Sequence, residues 1–235
     1  MARIINEYLI ERILSYCDEE LVIHFQKNLP RLMRIILVSD LNLVLESVRQ
    51  YVRYLDIPSY CDYKNHVTER DIQQLTRLIT LNCRCNNSMT DAMLKYPKYL
   101  MKLNCSSCFG ISGKTFHHLT NLVELNCSFC NINDDGCSQI SRLENLTKLD
   151  CTDCKNISTL YFAGSYCFTN LTILNCEGCN FDDNSISHLQ NLTKLNCGGC
   201  KNIIGCAFRK LSQLNVLVCF ECINIHNNAF VDLEN

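Results

Sequence analysis

The chain has 235 residues, 47% of them hydrophobic and 20% charged, which is enough to bury a substantial core and too apolar for an intrinsically disordered chain. A formal net charge of −2 gives no electrostatic footprint for nucleic acid or an anionic membrane, and no apolar run approaches the roughly 18–20 residues that span a bilayer. Nineteen cysteines, about 8% of the chain, would imply a disulfide scaffold in a short secreted protein. Here the count is odd, and Glu7, Glu11 and Arg12 stand where a secretory signal needs an apolar core. A cytoplasmic, reducing setting is therefore expected.

The chain divides into residues 1–31 and 32–235. In the first part Ile5, Leu9, Ile13 and Leu14 recur at helical spacing with Glu and Arg on the other face, which predicts a helical segment. The second part is repetitive. Leu32-x-x-Ile35-x-Leu37 is a degraded copy and Val52-x-x-Leu55-x-Ile57 a clearer one, with Val67–Ile72 as the helix entry that follows it. From Leu78 onward the phrase L-x-x-L-x-C recurs seven times, with its cysteine at Cys83, Cys105, Cys127, Cys151, Cys176, Cys197 and Cys219. The spacings are 22, 22, 24, 25, 21 and 22 residues. Three residues after each of these stands Asn86, Cys108, Cys130, Cys154, Cys179, Cys200 or Cys222, followed shortly by an apolar residue such as Ile111 or Phe181.

The second leucine and the cysteine are two apart, so they share one side of a short strand. The residue three further on turns the chain, and the next 10–12, such as Gly136–Leu143, carry helix-like spacing. One strand, one turn and one short helix cannot bury an apolar face alone; stacked copies can. The expected class is α/β, a solenoid whose strands form a curved parallel sheet. The pattern resembles the leucine-rich repeat family, and within it the cysteine-containing class.

Two readings stand for residues 1–31. One is a helical cap over the first repeat, since terminal repeats otherwise expose their stacking faces. The other is an F-box: the run from Ile5 through Leu9, Ile10, Ile13 and Leu14 to Cys17 is similar to the opening of that family, with Asn6 and Tyr8 departing from it. That resemblance implies that Ile5, Leu9, Ile10, Ile13 and Leu14 contact a Skp-type adaptor of a cullin-type ubiquitin ligase.

The paired cysteines also match zinc-ribbon spacing, as in Cys105/Cys108 with Cys127/Cys130. The repeat is the better account. Each first cysteine occupies an inward apolar position, one copy has Asn86 in place of the second, and the residues between share no knuckle chemistry. No metal and no cofactor are expected. Equivalent positions in stacked strands lie about 4.7–4.9 Å apart, so two columns of buried, inert thiols should run through the core.

Residues flanking the second leucine face the opposite, concave side. One column reads Asn82, Asn104, Asn126, Asp150, Asn175, Asn196, Val218, and its neighbour Thr80, Lys102, Glu124, Lys148, Ile173, Lys194, Val216. They are either amide ladders bracing the sheet or a polar recognition strip. A third column, Cys85, Ser107, Phe129, Asp153, Gly178, Gly199, Glu221, is irregular and a place for specificity; Phe129 and Phe220 are candidate aromatic anchors. His117, His118 and His188 fall in convex segments out of register with any carboxylate or strand-end cysteine, and no catalytic constellation is evident. The sequons at Asn145, Asn170 and Asn191 fall out of the repeat spelling. The apolar strand Val216–Phe220 is an unprotected edge, predicted to self-associate or to dock a partner. The expected function is a non-catalytic scaffold binding a protein, with no nucleic acid or membrane partner.

Overall fold

The computed structural model describes residues 37–38, 52–57, 67–157, 159–163 and 168–231. Among them, nine strands form one parallel sheet in chain order: β1 (Leu37–Val38), β2 (Tyr54–Asp56), β3 (Thr80–Asn82), β4 (Lys102–Asn104), β5 (Glu124–Asn126), β6 (Lys148–Asp150), β7 (Ile173–Asn175), β8 (Lys194–Asn196) and β9 (Val216–Val218). The readings of residues 1–31 as a cap or an F-box lie outside the described residues.

Leucine sets the register. Leu55, Leu81, Leu103, Leu125, Leu149, Leu174, Leu195 and Leu217 stand opposite one another from β2 to β9. All but Leu217 are buried, while both of their neighbours in each strand stay partly or fully exposed. A slip by one residue would turn each leucine to solvent, and burying one contributes about 2 kcal/mol. The earliest copy is the exception to the expected alignment. Val38, not Ile35, pairs with Leu55. The run Ile35-Ile36-Leu37-Val38 offers an apolar residue to either register, so its spacing alone could not choose.

The convex side departs from the expectation of one helix per unit. There are α-helices at α1 (Glu69–Gln74), α2 (Asp134–Ile140) and α3 (Asp183–Ile186), whereas Asp91–Lys95, Phe116–His118, Thr159–Tyr161, Phe208–Lys210 and Asn227–Phe230 are 3-10 turns. Each α-helix has a polar N-cap: Thr68, Asn133 and Asp182 accept from the backbone N–H groups of Asp71, Gly136 and Ser185. None of the four 3-10 turns whose caps are defined, those beginning at Asp91, Phe116, Phe208 and Asn227, has such a bond, and a single tight turn suffices to bring Leu94, Phe116 or Phe208 inward. Phe162 fills the widest unit, stacked on Phe168 and edge-on to Phe181 with centroids 4.6 and 4.5 Å apart.

The irregular third column is not a concave column. It is the turn residue just past each strand, in the left-handed region: φ is 56° at Cys85, 57° at Ser107, 57° at Phe129, 54° at Asp153 and 57° at Glu221, with glycine at 178 and 199. The position is fixed because its N–H extends the ladder, as from Cys85 to the Ser106 carbonyl and from Phe129 to that of Thr152, both at 2.8 Å. Left-handed backbone costs a non-glycine residue about 1–2 kcal/mol. Phe129→Gly is therefore expected to raise stability by about 1 kcal/mol in urea denaturation, despite the loss of an aromatic side chain; a destabilised variant would show that the ring packs more than its 48% exposure implies.

Candidate partner-binding face

The concave side of β3 to β7 forms an open hollow of about 540 Å3, bounded by residues such as Thr80, Lys102, Glu124, Lys148 and Ile173. In-register pairing stacks Lys102, Glu124 and Lys148, and both ammonium groups lie 3.0 Å from Glu124 Oε1. Partial burial works against ionisation of Glu124, but the hydrogen bonds from Lys102 and Lys148 prevail and hold its carboxyl below the ordinary range. Lys194 stands apart on β8, between Ile173 and Val216.

The asparagine column lies where expected, yet its main task is local. The side-chain oxygen of each residue accepts the backbone N–H two positions on: Asn82 from Arg84, Asn104 from Ser106, Asn126 from Ser128, Asp150 from Thr152, Asn175 from Glu177 and Asn196 from Gly198, at 3.0–3.4 Å. These are Asx turns that start each bend. Side-chain bonds from this column to a neighbouring unit are few: Asn126 Nδ2 donates to Asp150 Oδ2 at 3.3 Å and Asn196 Nδ2 to Glu177 Oε2 at 2.9 Å. Among the described residues, the amides of Asn82, Asn104 and Asn175 have no protein acceptor, which leaves donors facing the hollow. Asp153 and Phe129 sit on the rim, not the floor, and Asp153 pairs with Lys155 at 3.4 Å.

Behind the sheet run the two thiol columns. The second cysteine of each unit donates to the carbonyl of the first cysteine one unit earlier: Cys108 to Cys83, Cys130 to Cys105, Cys154 to Cys127, Cys179 to Cys151, Cys200 to Cys176 and Cys222 to Cys197, at 2.9–3.1 Å. A thiol there fills apolar space and adds a second hydrogen bond to a carbonyl that already accepts the backbone N–H three residues on, as Cys83 does from Asn86 and Cys105 from Cys108. The first-column thiols are strongly shifted. The partner thiol of the next unit and then burial push Cys83, Cys105, Cys127, Cys151 and Cys176 well above the ordinary value, and burial then Cys222 does so for Cys197. Hydrogen bonds from the partner thiol outweigh burial at Cys108, Cys154 and Cys200 and hold these lower.

All sixteen described cysteines are free, and only Cys85 and Cys206 among them are exposed. The double variant Cys85→Ser/Cys206→Ser is expected to lose two equivalents of the fast reaction with Ellman's reagent, with the buried ladder thiols, all those described except the half-buried Cys219, reacting only on unfolding. Fast modification of the buried ladder thiols in the native chain would contradict the burial described.

Several residues that hold units together are not evident from the repeat phrase. Asp91 accepts from Ser112 N, Ser112 Oγ and Gly113 N at 3.0, 2.7 and 2.9 Å. Asp183 accepts from Ile204 N and Ala207 N, both at 2.7 Å. Asn121, Asn145, Asn170 and Asn191, each just before a first leucine, donate to a carbonyl of the preceding unit at 2.6–2.9 Å. Their common place in the phrase was a readable signal for an inter-unit bond. Among the described residues no helix is long and apolar enough to cross a membrane, and no three metal-binding side chains converge.

No protein-family profile matches the sequence, and no curated protein matches it by sequence. Solved structures do match in shape. An internalin from Listeria monocytogenes superposes with a TM-score of 0.61 at 18% identity, over 80% of this chain and 56% of its own. The functional domain of InlJ from Listeria monocytogenes, which includes a cysteine ladder, gives 0.59 at 24% identity, over 76% and 36%. TLR13, in its complex with ssRNA13, gives 0.61 at 22% identity, over 85% and 34%. The chain thus spans between a third and just over half the length of these structures. The in-register leucines, the turn after every strand and these likenesses agree: the fold is a leucine-rich-repeat solenoid.

Proposed function

We propose that the chain is a non-catalytic scaffold that holds a protein partner on its concave face. The observation that carries this reading is the concave side itself, where in-register strands hold a charged row and a row of amide donors in fixed positions. Protein interfaces need such preorganised polar groups to fix register, because ordering them on binding costs affinity. The binding residues on this reading are Asn82, Asn104, Asn126, Asp150, Asn175, Asn196, Lys102, Glu124, Lys148 and Lys194, with Phe129 and Asp153 on the rim.

The test compares capture of the same protein by three chains: wild type, the concave triple variant Lys102→Ala/Glu124→Ala/Lys148→Ala, and the convex triple variant Arg142→Ala/Arg209→Ala/Lys210→Ala. Loss with the concave variant alone supports the reading; equal capture by all three contradicts it. A role as substrate receptor of a cullin-type ligase rests on the resemblance of residues 5–17 to an F-box. It predicts that a Skp-type adaptor binds the full chain and not one lacking residues 1–30.

A further inference from the structure

We infer that the C-terminal end of the concave face recognises a protein segment that sets a carboxylate beside an apolar side chain. This rests on the concave-face reading and names the chemistry of its partner. Lys102 and Lys148 are both engaged by Glu124. Lys194, the next cation along the same column, has Ile173 and Val216 as its register partners, and among the described residues no carboxylate lies within ion-pair distance of it. An ammonium flanked by apolar side chains is less well screened than one in open water, so it favours a carboxylate brought by a partner.

The surroundings of Lys194 change character at the same place. In the column held by Asn or Asp from β3 to β8, β9 has Val218, which cannot cap its own turn. Val216 and Val218 are 44% and 37% exposed. They stand on the side of the strand opposite Leu217, so a further strand beside β9 would flank them without covering the concave surface they present. Phe220 extends the patch onto the rim at 49% exposure. Its ring lies over the α-carbon of Gly198: a β-carbon there would come within 2.5 Å of it, so glycine makes room for the ring beside the end of β8. The result is one unpaired cation among Ile173, Val216, Val218 and Phe220. Apolar contact supplies affinity and the charge supplies selectivity.

The experiment pans a phage-displayed library of random dodecapeptides on the full chain, then measures one enriched synthetic peptide on variants that keep the wild-type melting temperature. Enriched sequences should carry Asp or Glu next to Leu, Ile, Val or Phe. Affinity should fall about tenfold or more with Lys194→Glu and with Val218→Asn, the residue the other units use. A peptide with lysine in place of its carboxylate should bind Lys194→Glu better than wild type. Enrichment that responds to Lys102→Ala or Glu124→Ala but not to Lys194→Glu or Val218→Asn would overturn the patch and leave the concave-face reading standing. No enrichment, or binding indifferent to all four substitutions, would overturn both. Lys194-dependent self-association in place of peptide binding would assign the patch to a second copy and overturn the proposal.

Discussion

Asp183→Ala is expected to lower stability by about 3 kcal/mol, far more than any exposed substitution. The Asp183 carboxylate is buried, with 8% of the residue exposed, and its two oxygens accept from Ile204 N and Ala207 N of the next unit. Removing it leaves two N–H groups without an acceptor at the joint between successive units. Because each unit touches only its neighbours, the loss falls on one interface term. Urea denaturation should therefore show a lower midpoint and a broader transition as the C-terminal units uncouple. Asp183→Asn keeps an acceptor and should fall between, while Lys210→Ala should change stability by less than about 0.5 kcal/mol. A loss below about 1 kcal/mol for Asp183→Ala would show that the joint does not depend on this clamp.

The second large effect is alkaline. Six first-column thiols are raised above the ordinary value by their partner thiols and by burial. Unfolded, each ionises near pH 8.5; folded, each stays protonated to higher pH. As pH rises above about 8.5 the unfolded chain releases protons that the folded chain retains, so the stability present below that pH is progressively lost. Cys108, Cys154 and Cys200, held lower, shift the balance the other way and offset part of this. The raised thiols outnumber them, so the net effect is a loss of stability as the pH rises above about 8.5. The urea midpoint should fall as the pH is raised from 8 toward 10. A midpoint unchanged at pH 10 would show that the ladder thiols do not hold their protons as described.

How far these features were legible in the sequence depends on whether the information lies within one unit or between two. Leu81, Leu103 and their equivalents declare strand, side and register together, because period 2 is visible in a single copy. The buried cysteines followed from the same phrase. The turn column was misplaced because Cys85, Ser107, Phe129, Asp153, Gly178 and Glu221 share a backbone conformation and no side-chain chemistry. Asn104 and Asn126 were placed on the correct face, but a fixed Asn beside a strand end can equally brace neighbours or start a turn, and only backbone geometry distinguishes these. The clamps Asp91 and Asp183 bond to loops more than twenty residues away; both stand two residues after the apolar residue of their unit, Met89 or Phe181, but other units carry Gly113, Thr159 or Gly205 there, so the position does not stand out in the phrase. Lys194 was visible as a member of the charged column; that it alone lacks an opposite charge appears only when the columns are aligned across the sheet.

The most direct measurement places a photo-cross-linking amino acid at Lys148 on the concave face or at Lys210 on the convex face, in an otherwise unchanged chain within cells. A discrete protein adduct is expected from position 148 and not from 210, and adding Lys102→Ala and Glu124→Ala should diminish it. Adducts from position 210 alone, or equally from both positions, would contradict a partner held on the concave face.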